Sequence, residues 1–451
     1  MKEFAAFTDA ERIRAIFQDH LPRCARGPFR IAGCQIMHAA LKTFEKEQSR
    51  RKSHLSALYR LELVDDAEGK RLEQLLYSKT YLDSRSRTEF VRNLNSRLSA
   101  SNFHVSLAHL PELDTVVWCF PNDPALPMLA DVVDPGRVLS YLPYDRLPAA
   151  WDAPEKIREV RIEIVNYRPE RRCIARYEIV SASSGERAVL FGKTYREKGG
   201  EEVHRRMAAL GENGEEDSPA GFRIPRPFGY GAETGTVWME ALPGSPLIDA
   251  ALGENGPALL RSAAAGLAAF QRASLGGLAR HAGLSHLEEA EKKTRKLETA
   301  LPEFGHRVRR LFQRLAEAAD ALPEAPETLL HGDFHIDQLR VCNGRIALFD
   351  FDELCLGDPL QDAANFLADL HVRQLDPARI EALSGEFLQA YASHAPWPVS
   401  PERLHWLFSL QLLTKAYRAY WQQKSGHGAI IERCLARAER RLPFSFRGGR
   451  R

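Results

Sequence analysis

Two stretches of this chain carry the same order of parts: LYRLELVDDAEGKRLEQLLYSKTYLDSRSRTEFVRNL (58 to 94) and IARYEIVSASSGERAVLFGKTYREKGGEEVHRRMAAL (174 to 210). Each reads as a strand, a polar turn with glycine, a second strand ending in Lys-Thr-Tyr, and a helix. The correspondence continues downstream, where DTVVWCFPNDPALPMLADVV (114 to 133) answers GTVWMEALPGSPLIDAAL (235 to 252). Two strand-turn-strand units can look alike by chance. Agreement of the order together with the KTY and TV(V)W anchors points instead to a duplicated β-rich module.

The stretch between the copies, 134 to 156, is rich in Pro, Asp and Gly and reads as a linker or surface-hugging connection ending near 155. Before the first copy, Ile13, Ile16, Phe17 and Leu21 recur at helical spacing, and Ile36 to Phe44 repeats the pattern, so helices are predicted across the first fifty residues. From Pro257 the apolar period is again helical, through Leu259, Leu260, Ala263, Leu267 and Phe270, then over 304–321, 380–391 and 404–420. A strand-loop-strand segment at 328–352 interrupts these helices, and the basic tail Arg447–Arg451 is expected to fray.

With 451 residues, 44% of them hydrophobic and 27% charged, the chain has material for two to four packed units. A net charge of +2 and short basic clusters (Arg50–Lys52, Arg171–Arg172, the Arg-rich end) read as solvated surface, not as a nucleic-acid footprint. Seven scattered cysteines without a C-x-x-C pair fit buried thiols in a reducing compartment, not disulfides or zinc. The N-terminal residues lack the pattern of a secretory signal, and apolar runs are too short to cross a bilayer, so a soluble, cytoplasmic protein without membrane association is expected.

The chemistry concentrates in TLLHGDFHIDQLRVCNGRIALFDFDELCLGDPLQDAANFLADL, residues 328 to 370. Asp333 and Asp350 each follow an apolar strand, and the Asn343-Gly344 pair between them signals a tight hairpin that can bring the two acids together. Phosphoryl transfer asks a protein for one carboxylate to orient the attacking hydroxyl and others to hold Mg²⁺ against the phosphates. Asp333 suits the first task and Asp350 the second.

HGDFHIDQ followed by LFDFDELCLGDPLQDAANF resembles the paired signature of the aminoglycoside-phosphotransferase and protein-kinase-like superfamily. The resemblance implies Asp333 as the catalytic-loop acid, with Gln338, where the family usually has Asn, and Asp350 as metal ligands. It implies His331, Asp358 and Asp362 as structural braces. It also implies an α+β, two-lobed fold with a β-rich N-lobe at 155–245 and a helical C-lobe at 246–445. Residues 1–150 would then be a cap, a degenerate duplicate of the N-lobe.

Within that lobe the resemblance implies Lys193 on the α and β phosphates, Glu202 as its helix partner, and Met239, Glu240 and Leu242 as the hinge that meets adenine. The Gly-rich phosphate loop has no counterpart, since the first hairpin carries Pro169 and arginines; Arg171, Arg172 or the turn's own N–H groups are left to meet phosphate. The expected activity is Mg²⁺-dependent transfer from ATP, with GTP as an alternative donor, to a hydroxyl of a small molecule: a sugar, an aminoglycoside-like polyol or an amino alcohol. Two other readings stay open. One is a pseudokinase that binds a nucleotide or ligand without turnover. The other is a metallohydrolase with His331, Asp333 and His335 as ligands on one face of an extended segment.

Overall fold

Alternating apolar and polar side chains build two antiparallel sheets in the first half of the chain. In the computed structural model, residues 7–42, 54–196, 199–211, 221–280, 283–423 and 426–440 are described. The clusters Arg50–Lys52 and Arg447–Arg451 lie outside them. The chain divides into two units. One holds the chain to Glu202 together with Phe228–Glu240, and the other holds Val203–Pro227, Ala241–Tyr420 and the residues from Gly426 onward.

The first sheet comprises β1 (Phe29–Lys42), β2 (His54–Asp65), β3 (Lys70–Tyr81), β4 (Leu107–Leu110) and β5 (Thr115–Cys119). The second comprises β6 (Ile157–Arg168), β7 (Arg172–Ser181), β8 (Arg187–Tyr195), β9 (Pro227–Gly231) and β10 (Thr236–Glu240). Their strand orders are the same, β1-β2-β3-β5-β4 and β6-β7-β8-β10-β9. In each, a helix follows the third strand: Ser86–Leu94 in the first copy and Gly199–Gly211 in the second. The duplication read from the sequence is thus repeated in topology.

One prediction fails here. Residues 36–42 are not helical but belong to β1, which pairs with β2 through Leu41↔Leu55 and is irregular at Ile31/Gly33 and Ile36/His38, and positions 43 and 44 of the expected helix lie outside the described residues. Apolar residues four apart fit a helix face, yet a short apolar run has no decisive period, and a twelve-residue partner strand settles it by taking up the backbone hydrogen bonds. The helix over Ala10–His20 does form, capped by the Asp9 carboxylate, which accepts from the Glu11 and Arg12 N–H groups at 3.1 and 3.0 Å.

Both sheets lie in the first unit, joined by a buried cluster of Leu58, Leu126, Leu129, Val132, Tyr167 and Cys173. The linker 134–156 supplies Val138, Leu142 and Trp151 to a second cluster with Tyr177 and Trp238 beneath the second sheet. Of the two readings of this stretch the packed connection holds: its apolar side chains are part of the core.

The second unit is mainly helical, as the period after Pro257 indicates: Gly256–Phe270, Gly283–Ala300, Pro302–Ala319, Leu360–Val372, Pro377–His394, Pro401–Trp421 and His427–Ala438. Strands β11 (Ser245–Pro246), β12 (Thr328–Leu330), β13 (Leu339–Cys342), β14 (Arg345–Leu348) and β15 (Cys355–Gly357) interrupt it. The fold class is α+β. No helix among the described residues is long and apolar enough to cross a membrane.

Candidate active site

Asn343 and Gly344 adopt positive φ of 51° and 77°, the two-residue turn that matches strand twist, and β13 and β14 pair from Cys342↔Arg345 to Leu339↔Leu348. The ladder runs one step further, with the Phe349 N–H donating to the Gln338 carbonyl at 3.0 Å. This sets Gln338 and Asp350 side by side at the open end of the hairpin, with Gln338 Nε2 3.5 Å from Asp350 Oδ2.

The hairpin does not itself carry Asp333. The strand before that acid, β12, pairs with β15 (Leu330↔Cys355). Asp333 sits in the loop between β12 and β13, and what holds that loop is buried hydrogen bonding. The Asp362 carboxylate accepts from the His331 N–H at 2.8 Å and the Gly332 N–H at 3.0 Å. His331 is fully buried and its Nε2 donates to the Phe349 carbonyl at 2.9 Å, fastening the loop to the end of β14. Asn365 donates to the Phe334 carbonyl at 3.1 Å. Asp358 accepts from the Leu360 N–H at 2.9 Å and pairs with Arg403.

Gly332 has φ of +81°, and a Cβ there would lie 2.1 Å from the Glu353 carbonyl oxygen. Backbone cannot yield as a flexible side chain can. Gly332→Ala is therefore expected to cost more than about 2 kcal/mol of stability through strain and overpacking together. Urea denaturation reads this, and a variant as stable as the parent would refute it.

Two basic side chains stand beside Asp333. His335 Nε2 is 3.7 Å and Arg418 Nη1 3.6 Å from its oxygens. Burial pushes the carboxyl up, but the His335 hydrogen bond and the charges of Arg418, His335 and Lys415 outweigh it and hold the group down at about 2. It is ionised at neutral pH and able to accept a proton.

Beyond it, Arg373 donates to Asp369 at 2.8 Å and to Asp337 at 2.6 Å, and Lys415 Nζ lies 3.5 Å from Asp369. Burial lowers the Lys415 ammonium against the opposing pull of Asp369. Asp369, Arg373, Lys415 and Arg418 escaped the sequence reading. Their only local signal is helical spacing: Asp369 and Arg373 are four apart, Lys415 and Arg418 three apart.

The described residues contain one group of three side chains whose ligand atoms lie within 4.8 Å of one another: His335, Asp337 and Asp369. It is not the His331, Asp333, His335 set. The guanidinium of Arg373 already occupies both of its carboxylates.

In the first unit, Lys193 lies in β8 opposite Val237 of β10 and Ile174 of β7. It is 5% exposed, with Nζ 5.1 Å from the centre of the Tyr195 ring. Glu202 stands in the first turn of the helix Gly199–Gly211. Met239 and Glu240 end β10, opposite Phe191 and Leu190. Leu242 belongs to the second unit, buried against Cys342 and Ala347. The turn between β6 and β7 holds Glu170 at φ of 60° where glycine is the usual residue.

The model of the phosphotransferase enzyme family (APH) matches residues 189–397, from within β8 through the loop of Asp333 and the β13–β14 hairpin to just past the helix Pro377–His394. No curated protein matches the chain. Among solved structures, a choline/ethanolamine kinase family protein from Mesorhizobium loti is 16% identical, with 62% of this chain and 87% of that one covered and a TM-score of 0.44. A thermostable mutant of aminoglycoside phosphotransferase APH(4)-Ia is 20% identical, with 62% and 94% covered and a TM-score of 0.45. A glucosamine kinase in complex with glucosamine, ADP and inorganic phosphate is 19% identical, with 62% and 80% covered and a TM-score of 0.43.

Proposed function

Proceeding from the match of residues 189–397 to the model of the phosphotransferase enzyme family, we propose that the chain is a kinase transferring the γ-phosphoryl group of ATP to a hydroxyl of a small molecule. The observation that carries this reading is the meeting of Gln338 and Asp350 at the hairpin mouth, with an Asp333 held ionised on the loop before it.

Asp333 takes the proton of the acceptor hydroxyl as its oxygen attacks the γ-phosphorus. The bond to the β-phosphate oxygen breaks, and ADP leaves. Arg418, 3.6 Å from Asp333, keeps that carboxylate ionised before the hydroxyl arrives. Gln338 and Asp350 are oxygen donors suited to a hard divalent cation, and half a turn of the Gln338 amide presents Oε1 beside Asp350. Mg²⁺ held there supplies charge neutralisation to the phosphates.

Lys193, oriented by Glu202, is assigned to the α and β phosphates, and the backbone of Met239, Glu240 and Leu242 to adenine. Residues 1–150 act as a cap with no catalytic half of their own. The acceptor class is a sugar, an aminoglycoside-like polyol or an amino alcohol, with the compartment taken as cytoplasmic.

Thermal unfolding with Mg-ATP, Mg-GTP and Mg²⁺ alone tests the reading. A nucleotide at a hundred times its dissociation constant stabilises by about 2.7 kcal/mol. A rise in melting temperature that needs both nucleotide and Mg²⁺, and is lost in Asp350→Ala, is the expected result. Binding without turnover across an acceptor series would favour the pseudokinase, and a response to Zn²⁺ alone the metallohydrolase.

A further inference from the structure

The two copies of the β-module place their KTY lysines identically. Lys79 lies opposite Ser56 of β2 and Val116 of β5, and Lys193 opposite Ile174 of β7 and Val237 of β10. The threonine after each lysine meets a threonine of the neighbouring strand hydroxyl to hydroxyl, Thr80 with Thr115 at 2.9 Å and Thr194 with Thr236 at 2.8 Å. Glu89, in the helix after β3, is paired with Arg92, and Lys79 makes its ion pair with Glu170, ninety-one residues on, in the β6–β7 turn of the second copy.

That turn is gripped at a second point. The buried carboxylate of Asp123, from the loop after β5, accepts from the Glu170 N–H at 2.8 Å and from the Tyr167 hydroxyl at 2.7 Å. Its other oxygen accepts from the Ala125 and Leu126 N–H groups at 2.7 and 3.1 Å, which fixes Asp123 itself. The first copy thus holds both the backbone and the side chain of the residue standing at φ of 60°. A non-glycine residue persists in that region when its surroundings over-determine it.

The turn stands at the same end of the second sheet as the candidate nucleotide lysine. Arg172, which closes it, pairs with Tyr195, two residues after Lys193, and the Arg196 N–H donates to the Arg171 carbonyl at 3.0 Å.

We propose that the N-terminal module is a positioning device for the nucleotide site, with Lys79 and Asp123 holding the β6–β7 turn in the conformation that closes over ATP phosphates. The inference rests on the kinase reading above. It gives the first copy's lysine a function other than nucleotide binding, since its ammonium is turned to Glu170. It also accounts for a turn without glycines at this place: the conformation that glycine adopts freely is enforced here by two partners from another module.

The test is the dissociation constant of Mg-ATP, measured by calorimetry on the full chain, for wild type, Lys79→Met, Glu170→Gln and the double variant. If releasing the turn leaves about a tenth of the molecules binding-competent, each single variant weakens Mg-ATP about tenfold. Because both remove one interaction, the double variant is expected to be no weaker than either. A merely structural pair would lower the nucleotide-free melting temperature and leave the dissociation constant alone; that result, or full additivity, overturns the proposal. Glu170→Gln keeps the size and hydrogen bonding of the side chain and serves if Lys79→Met does not fold. Wild type that binds no Mg-ATP sinks the kinase reading itself, whereas wild type that binds beside unaffected variants sinks only this inference.

Discussion

Asp333→Asn is expected to lower turnover by about 10²- to 10⁴-fold, the usual contribution of a positioned general base. The substitution keeps the shape of the side chain and removes its charge. Asparagine cannot take the proton of the attacking hydroxyl, and Arg418 at 3.6 Å loses its anionic partner. Affinity for Mg-ATP is expected to stay near that of the parent, because the metal is assigned to Gln338 and Asp350. The loss therefore falls on kcat and not on the nucleotide KM. Phosphate release from Mg-ATP, with an acceptor series and with water alone as acceptor, measures it. Normal turnover in the variant would remove Asp333 from the mechanism.

Asp362→Ala is expected to be the most destabilising single truncation around the site. Asp362 is 1% exposed and accepts from two backbone N–H groups of the catalytic loop, at 2.8 and 3.0 Å. Each donor left buried without a partner costs about 1–3 kcal/mol, so a loss of about 2–6 kcal/mol follows.

The loss is pH-dependent. Burial raises the Asp362 carboxyl to about 7, against the lowering effect of its hydrogen bonds from His331, Gly332 and Gln271. The unfolded chain carries the same group near 3.9. With the folded value the higher, the folded state binds the extra proton between about pH 4 and 7. The stability this carboxyl contributes is then complete below about pH 4 and declines as pH rises through about 7. The difference between parent and variant in urea denaturation is thus expected to shrink from pH 5 to pH 8. A difference that grows over that range would contradict the assignment.

Legibility of the fold and site followed the range of the interactions. The Asn343-Gly344 turn is a two-residue signal, and the hairpin forms where it predicts, because its positive φ angles are a local property of those residues. The helices after Pro257 were legible because each one's apolar period runs over several turns. Residues 36 to 42 were misread because a short apolar run fits either period, and the choice was made by β2 alongside them.

By itself, then, the sequence determined the repeated order of strands and the Asn343-Gly344 hairpin, since each is written in contiguous residues whose chemistry acts over a few positions, but it set Asp333 on that hairpin, where the structure does not. Only the tertiary structure decided what surrounds them. Arg418 reaches Asp333 from a helix whose charged residues look like any solvated face. Lys79 left its own copy's pattern to hold Glu170 of the other. Such pairings have no local signature, because a carboxylate or an ammonium reads the same in sequence whatever packing places opposite it.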